Sequence, residues 1–345
     1  MSTSSAHAEL VRQIPTSYEK AVTSGDLLFF PSTVHKHIDI DVEFEIRLCP
    51  ALQKKPTTET QPSIIPVDPA ADAGLATQGN KGTVFDPFSP PYNVNLFVGE
   101  LQDEDSQEEY VVLLNKYSVV PNHFLLVSKE FKSQSTPLFP PDLVQMYTIL
   151  IEAKKAGLKA LSFYNCGDNS GASQPHKHAQ FIPIEDDGPP VEKLARRTKL
   201  ETPTRPFTLA SLPYANHVYR FPSELPSAEP DELQETLCQA FMALLELVIS
   251  TIRHDPDYPA GKPSYNVLLT LEHLHVIPRR FETHVLEETG DKLSVNSLGF
   301  AGMLLVKSEE ELEAVKKEGV GKILRSVALN SVHDIQVAGQ TEEPM

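Results

Sequence analysis

The sequence predicts an α+β fold, a mixed α/β arrangement of mainly antiparallel sheet flanked by helices. Three observations point there. Short alternating or apolar segments read as strands. Three longer stretches carry helical periodicity. A motif at Tyr164-Asn165 recurs in degenerate form at Tyr265-Asn266, as a second unit of the same kind would.

In order, residues 5–24 read as an amphipathic helix. Leu10, Val11 and Ile14 cluster, and Tyr18 and Val22 continue the face. Residues 27–30 are a short apolar piece. In 42–48, Glu43, Glu45 and Arg47 alternate with Phe44, Ile46 and Leu48, the pattern of a half-buried strand. It runs into Cys49-Pro50-Ala51-Leu52-Gln53-Lys54. Residues 57–83 hold Pro62, Pro66 and Pro69 and little periodicity, and read as a loose insert. Asp86-Pro87-Phe88-Ser89-Pro90-Pro91-Tyr92 is turn-rich. Strands are expected at 94–98, 110–114 and 123–127, with Asn115-Lys116 compatible with a plain hairpin turn. Residues 140–157 form a helix with Asp142 near its start and Gly157 as its stop. Residues 161–164 lead as a strand into Asn165.

After the acidic run Glu185, Asp186 and Asp187, Pro189-Pro190 starts another helix. The proline-rich stretch 201–229 reads as a connector. Residues 231–252 form the longest helix, with Leu237, Phe241, Leu244 and Val248 on one core-facing side. Residues 301–306 read as a buried strand. Helices are expected from Ser308 and over 322–329, and the tail 331–345 should be ordered only if docked. The reading therefore places a first half at 1–200 and a second at 230–330.

Composition narrows the function. The 345 residues allow one large or two small domains. Apolar content of 40% and charged content of 22% are ordinary for a globular protein. A formal net charge of −17 argues against nucleic acid or an anionic membrane as partner. Cys49, Cys166 and Cys238 are too scattered for a disulfide framework or a Cys-based metal site. With no signal pattern and no apolar run of membrane length, the reading is a cytosolic protein, nuclear access left open.

One stretch concentrates chemistry: Gly167-Asp168-Asn169-Ser170-Gly171-Ala172-Ser173-Gln174-Pro175-His176-Lys177-His178-Ala179-Gln180. Small residues let backbone N–H groups converge on an anion. In a strand, His176, His178 and Gln180 would share one face. Three readings compete. The histidines are incidental to a surface loop and strand; or His-x-His is a ligand pair, though no further ligand lies at matching spacing; or an imidazole attacks a phosphate ester. Under the third reading Gln180 favours group transfer over hydrolysis, because glutamine cannot titrate. An unshifted imidazole would lose activity on acidification through about pH 6.5.

The string Ser173-Gln174-Pro175-His176-Lys177-His178-Ala179-Gln180 resembles the active-site signature of the diadenosine tetraphosphate phosphorylases (ATP adenylyltransferases). That family lies in the histidine-triad superfamily, in the branch shared with hexose-1-phosphate uridylyltransferases. The resemblance spans roughly residues 5–330. It implies tandem histidine-triad-like halves, the first catalytic and the second degenerate. His273-x-His275-Val-Ile-Pro278 echoes His178-x-Gln180-Phe-Ile-Pro183 without the Gly/Ser loop. The family usually carries Trp where this chain has His273.

The resemblance also implies roles. His178 is the nucleophile, and the carbonyl of His176 orients its ring. Lys54, Asn115, Lys116, Asn165, Gly171, Ala172, Ser173, Gln174, Gln180, Asn296, Ser297, Leu298, Met303 and Lys307 fall at substrate-contact positions. The implied partners are a dinucleoside polyphosphate, ATP, ADP and phosphate. No tightly bound cofactor is expected, and magnesium accompanies the nucleotide. The alternatives are a hexose-1-phosphate uridylyltransferase and a non-catalytic nucleotide sensor.

Overall fold

A computed structural model of the chain describes residues 3–54, 86–185 and 188–331. The loose insert expected at 57–83, Asp186, Asp187 and the tail from residue 332 lie outside the described residues, as does the side chain of Lys54.

Helix α1 (Thr3–Ser24) buries Leu10, Val11 and Ile14. Strand β1 (Leu28–Phe29) follows, then the hairpin of β2 (Thr33–Asp39) and β3 (Val42–Leu48). The alternation in β3 is realised: Phe44, Ile46 and Leu48 are buried and Glu43 is not. The expected strand at 94–98 forms three residues later, as β4 (Phe97–Gln102). β5 (Glu109–Leu114), β6 (Tyr117–Ser118) and β7 (Phe124–Ser128) come next. Helix α2 (Pro140–Lys155) has Asp142 in its first turn, where the carboxylate accepts from the Phe139 amide at 2.6 Å. β8 (Ala160–Cys166), β9 (His178–Pro183) and α3 (Pro190–Arg197) complete the first half.

The stretch expected as a connector carries a strand, β10 (His217–Arg220). Four residues between prolines are too short for periodicity to reveal. Then come α4 (Pro230–Arg253), β11 (Ser264–Leu269), β12 (His273–Arg279), β13 (Thr283–Val285) and β14 (Lys292–Ser294). The apolar run expected as one strand from residue 301 is divided. Helix α5 (Ser297–Ala301), capped by Asn296, ends at left-handed Gly302, and β15 (Met303–Val306) follows. Ser308 caps α6 (Glu309–Glu318), and α7 (Val320–Val327) closes the order.

Eight strands form one sheet in the order β10-β12-β11-β8-β9-β7-β5-β4. Every pairing in it is antiparallel. β11 and β8 are its third and fourth strands, and their register sets Asn165 opposite Asn266. The two echoing motifs thus lie side by side across a seam. On one face, α1, α2 and α4 bury Tyr164, Phe181, Phe241 and Val267. α4 is long and apolar enough to cross a membrane by composition, yet its Leu237, Phe241, Leu244 and Val248 are all buried in this core. The opposite face packs Phe163, Ile182 and Ile277 against the smaller sheet β15-β3-β2 and helices α3, α5 and α7. Because side chains alternate along a strand, His178, Gln180 and Asn165 project to this second face.

Candidate active site

Strand β9 begins at His178, so the expected common face for His176, His178 and Gln180 is corrected. His178 and Gln180 share a face, but His176 precedes the strand and makes only an isolated bridge to Ser133. The His176 ring is buried and aimed elsewhere. Its Nε2 donates to the carbonyls of Ser128 (2.7 Å) and Glu130 (3.2 Å), and its Nδ1 lies 2.7 Å from Asp86 Oδ2. Lys177 turns to the helical face and pairs with Asp142 at 2.5 Å.

His178 is 2% exposed. Its Nδ1–H donates to the His176 carbonyl at 2.7 Å, which leaves Nε2 with its lone pair free. Gln134 fixes the backbone beneath: its Oε1 accepts from the His178 amide (2.8 Å), and its Nε2 donates to the carbonyls of Asn165 (2.7 Å) and His178 (3.2 Å). Phe88 meets the His178 ring edge-on at 5.1 Å between centroids.

A second chain of hydrogen bonds sets Gln180. Asn115 Nδ2 donates to His123 Nδ1 at 2.9 Å, so His123 Nε2–H donates to Gln180 Oε1 at 3.0 Å. The Gln180 amide N–H groups are thereby left for a ligand. A cavity of about 780 Å³ collects six of the sequence candidates: Asn115, Lys116, Ser173, Gln174, His178 and Gln180.

The loop into β9 is held from the second half. Gly167 and Gly171 have φ of +89° and +79°, and a Cβ on either would collide: with Ser264 Oγ at 2.5 Å, or with the Val295 carbonyl at 2.6 Å and Asn296 Cβ at 2.9 Å. Among the described residues, the backbone N–H groups of Gly171, Ala172, Ser173 and Gln174 make no hydrogen bond.

Asn165 stands behind the loop and is buried. Its Oδ1 accepts from Asn266 Nδ2 (2.8 Å), Ser297 N (3.0 Å) and Ser297 Oγ (2.7 Å). Its carbonyl oxygen is thus committed to the protein, while its Nδ2 has no partner. Asn296, Leu298 and Met303 are partly exposed and Lys307 is exposed, but none lines this cavity. The echo pair turns away as well. His273 Nδ1 donates to Glu192 Oε1 at 2.9 Å and its Nε2 accepts from Arg220 at 3.0 Å, while His275 Nε2 lies 3.5 Å from Glu192 Oε2.

Glu192, Glu272 and His273 could together hold a metal ion. Arg196 pairs with both Glu272 oxygens at 2.7 Å, and Arg220 faces His273, so guanidinium groups stand where a cation would bind.

Burial pushes the His178 imidazole down to about 4, against the opposing His176 carbonyl bond. Burial likewise takes His123 and His217 to about 4. The His178 imidazole is therefore neutral far below pH 6.5, and the acid limb expected there from an unshifted imidazole is moved. Single-turnover rates should stay level from pH 8 to about pH 5.5. Stability behaves differently. Between about pH 6.5 and 4 the unfolded chain binds more protons than the folded one, so stability rises with pH. It is complete above about pH 6.5 and drains as pH falls toward 4, which urea titrations at several pH values would measure.

The site is thus a fixed imidazole with a free Nε2, next to a loop whose amides from Gly171 to Gln174 take no partner among the described residues. Residues 2–196 match the Ap4A phosphorylase N-terminal domain, and residues 210–330 match the ATP adenylyltransferase C-terminal domain. The chain belongs to the Ap4A phosphorylase family. It is 33% identical over 276 residues to diadenosine tetraphosphate phosphorylase 2 of Saccharomyces cerevisiae, covering 77% of this chain and 82% of the relative. It is 26% identical over 330 residues to Protein APA1 of the same yeast, covering 92% and 93%. It is also similar in structure to yeast Ap4A phosphorylase Apa2 in complex with Ap4A. That match has a TM-score of 0.73 and 27% identity, over 93% of this chain and 97% of the other.

The sequence carries no local signal for several residues of this site. Gln134, Asp86 and Phe88 belong to no periodic pattern. His123 opens the strand expected at 123–127, and nothing in that local pattern ties it to Gln180.

Proposed function

We propose that the chain cleaves diadenosine tetraphosphate with inorganic phosphate, yielding ATP and ADP through an adenylyl group carried on His178. The observation that carries this reading is the free Nε2 of His178, its Nδ1–H fixed by the His176 carbonyl, at a cavity also lined by Ser173 and Gln174 of the loop. Nε2 attacks the phosphorus next to one adenosine. A P–N bond forms, the P–O bond to the neighbouring phosphate breaks, and ATP leaves. An oxygen of inorganic phosphate then attacks the same phosphorus, the P–N bond breaks, and ADP leaves.

In this reading the amides of Gly171, Ala172, Ser173 and Gln174, with the Ser173 hydroxyl and the Gln180 amide, stabilise the crowded phosphorus. Asn115 and Lys116 contact substrate from the cavity wall. Lys54, Asn296, Leu298, Met303 and Lys307 are assigned substrate contacts on family spacing, and Asn165 and Ser297 hold the loop from behind. Magnesium enters with the polyphosphate as part of the substrate. Gln180 offers no titratable group to activate water, so transfer goes to phosphate.

Product analysis with and without phosphate tests the reading. Omitting phosphate should nearly abolish turnover of diadenosine tetraphosphate. Rapid AMP release in phosphate-free buffer would instead place the chain among hydrolases.

A further inference from the structure

The segment 86–92 has no regular structure, yet it forms one wall of the catalytic cavity. Its first residue organises it. Asp86 Oδ1 accepts from the Phe88 amide at 2.9 Å, and Oδ2 accepts from the Ser89 hydroxyl at 2.7 Å. Oδ2 also meets His176 Nδ1, across ninety positions of sequence. Burial opposes ionisation of this carboxyl, but the Phe88 amide, the Ser89 hydroxyl and the His176 ring outweigh it and hold Asp86 below the usual carboxylate range. His176 Nδ1 faces the Asp86 carboxylate and its Nε2 faces two backbone carbonyls, so the ring bridges three acceptors. The ring is buried and the carboxylate half-buried, so His176 is clamped between Asp86 and two backbone carbonyls.

Two effects converge on His178. The fixed His176 ring immobilises the residue whose carbonyl receives His178 Nδ1–H. The turn built on Asp86 also sets Phe88 edge-on against the imidazole, with a second contact to His176 at 6.1 Å. Phe88 packs in turn on Val111, Leu113, Leu125 and Val127 of the sheet, which gives the ring a firm seat.

We propose that Asp86 is a positioning residue for His178. It clasps His176 and folds the 86–92 turn so that Phe88 covers the imidazole and keeps water from the adenylyl group. The proposal rests on the phosphorolytic reading above. In the unwanted reaction, water attacks phosphorus, a P–O bond forms, the P–N bond breaks, AMP leaves and one water proton passes to solvent. A well-placed aromatic edge suppresses that route while phosphate, held by the loop, still reacts.

Two measurements on the full chain test it, with Phe88→Ala and Asp86→Asn. The first is the AMP to ADP product ratio at fixed phosphate, which should rise about tenfold in both variants. For Asp86→Asn, kcat should fall by about tenfold to a hundredfold with a smaller change in KM. The second needs no turnover: the rate at which diethyl pyrocarbonate modifies His178, read by peptide mass spectrometry, should increase in both. Unchanged ratio and unchanged labelling in Phe88→Ala overturn the proposal, even if Asp86→Asn fails to fold. Faster labelling in an enzyme whose wild type does not turn over diadenosine tetraphosphate would refute the assigned reaction and leave the positioning role standing.

Discussion

Replacing His178 with alanine is expected to abolish both turnover and the covalent adenylyl adduct. His178 Nε2 is the lone pair that the site leaves free, since Nδ1–H is committed to the His176 carbonyl. Loss of a covalent nucleophile raises the barrier by on the order of 4 kcal/mol or more, about a thousandfold in rate. His176→Ala keeps that carbonyl, so the chemical step should survive in part. Its ring, however, holds Asp86 and two backbone carbonyls, so this variant should also be less stable than a purely orienting role would suggest. Mass spectrometry after mixing enzyme with substrate in phosphate-free buffer decides between them. An adenylyl group on His176, or an active His178→Ala enzyme, would sink the mechanism.

The second large effect is expected at Arg279, which is fully buried. Burial lowers its pKa to about 9, so it remains a cation at neutral pH. Its guanidinium donates to Asn266 Oδ1 (2.5 Å), to the carbonyl of Ser170 in the glycine loop (3.2 Å), and to the carbonyls of Phe281 (2.7 Å) and Val327 (3.3 Å). Asn266 passes the restraint to Asn165, and Asn165 to Ser297. One side chain thus ties the loop to the second half. Arg279→Met would leave several buried acceptors without donors, at about 4 kcal/mol in all. Arg279→Lys keeps the charge but not the fork, and should recover less than half of that. Urea titration measures both, and a Met variant within about 1 kcal/mol of wild type would refute the assignment.

These two residues also show what the sequence makes legible. His178 sits in a contiguous string whose loop and strand are local, so its neighbours in sequence are its neighbours in space. β3 was readable for the same reason: its alternation is a local record of two faces. Arg279 follows an apolar strand and looks like a solvated end, and only contact with Ser170, 109 positions away, gives it a role. Asp86 likewise reads as a turn residue until His176 is beside it. β2 escaped notice because its residues are only exposed or half-buried, so no apolar stripe marks it. Asn165 was placed against substrate, but its carbonyl oxygen belongs to the protein, a distinction that spacing cannot express.

The order in which the strands are made differs from the order in which they can pair. β3 emerges early but needs β15 alongside it, and Asp39 accepts from the Gly321 amide 282 positions later. At the seam, β8 must wait for β11. Most of the chain therefore has to leave the ribosome before its earliest strands are flanked on both sides. Until then β3 and β8 keep bare hydrogen-bonding edges beside apolar side chains, the surface that chaperones shelter and that aggregates when unsheltered. A nascent chain stopped near residue 200 would already contain the whole string from Gly167 to Gln180, with β11 not yet made to close the sheet beside β8.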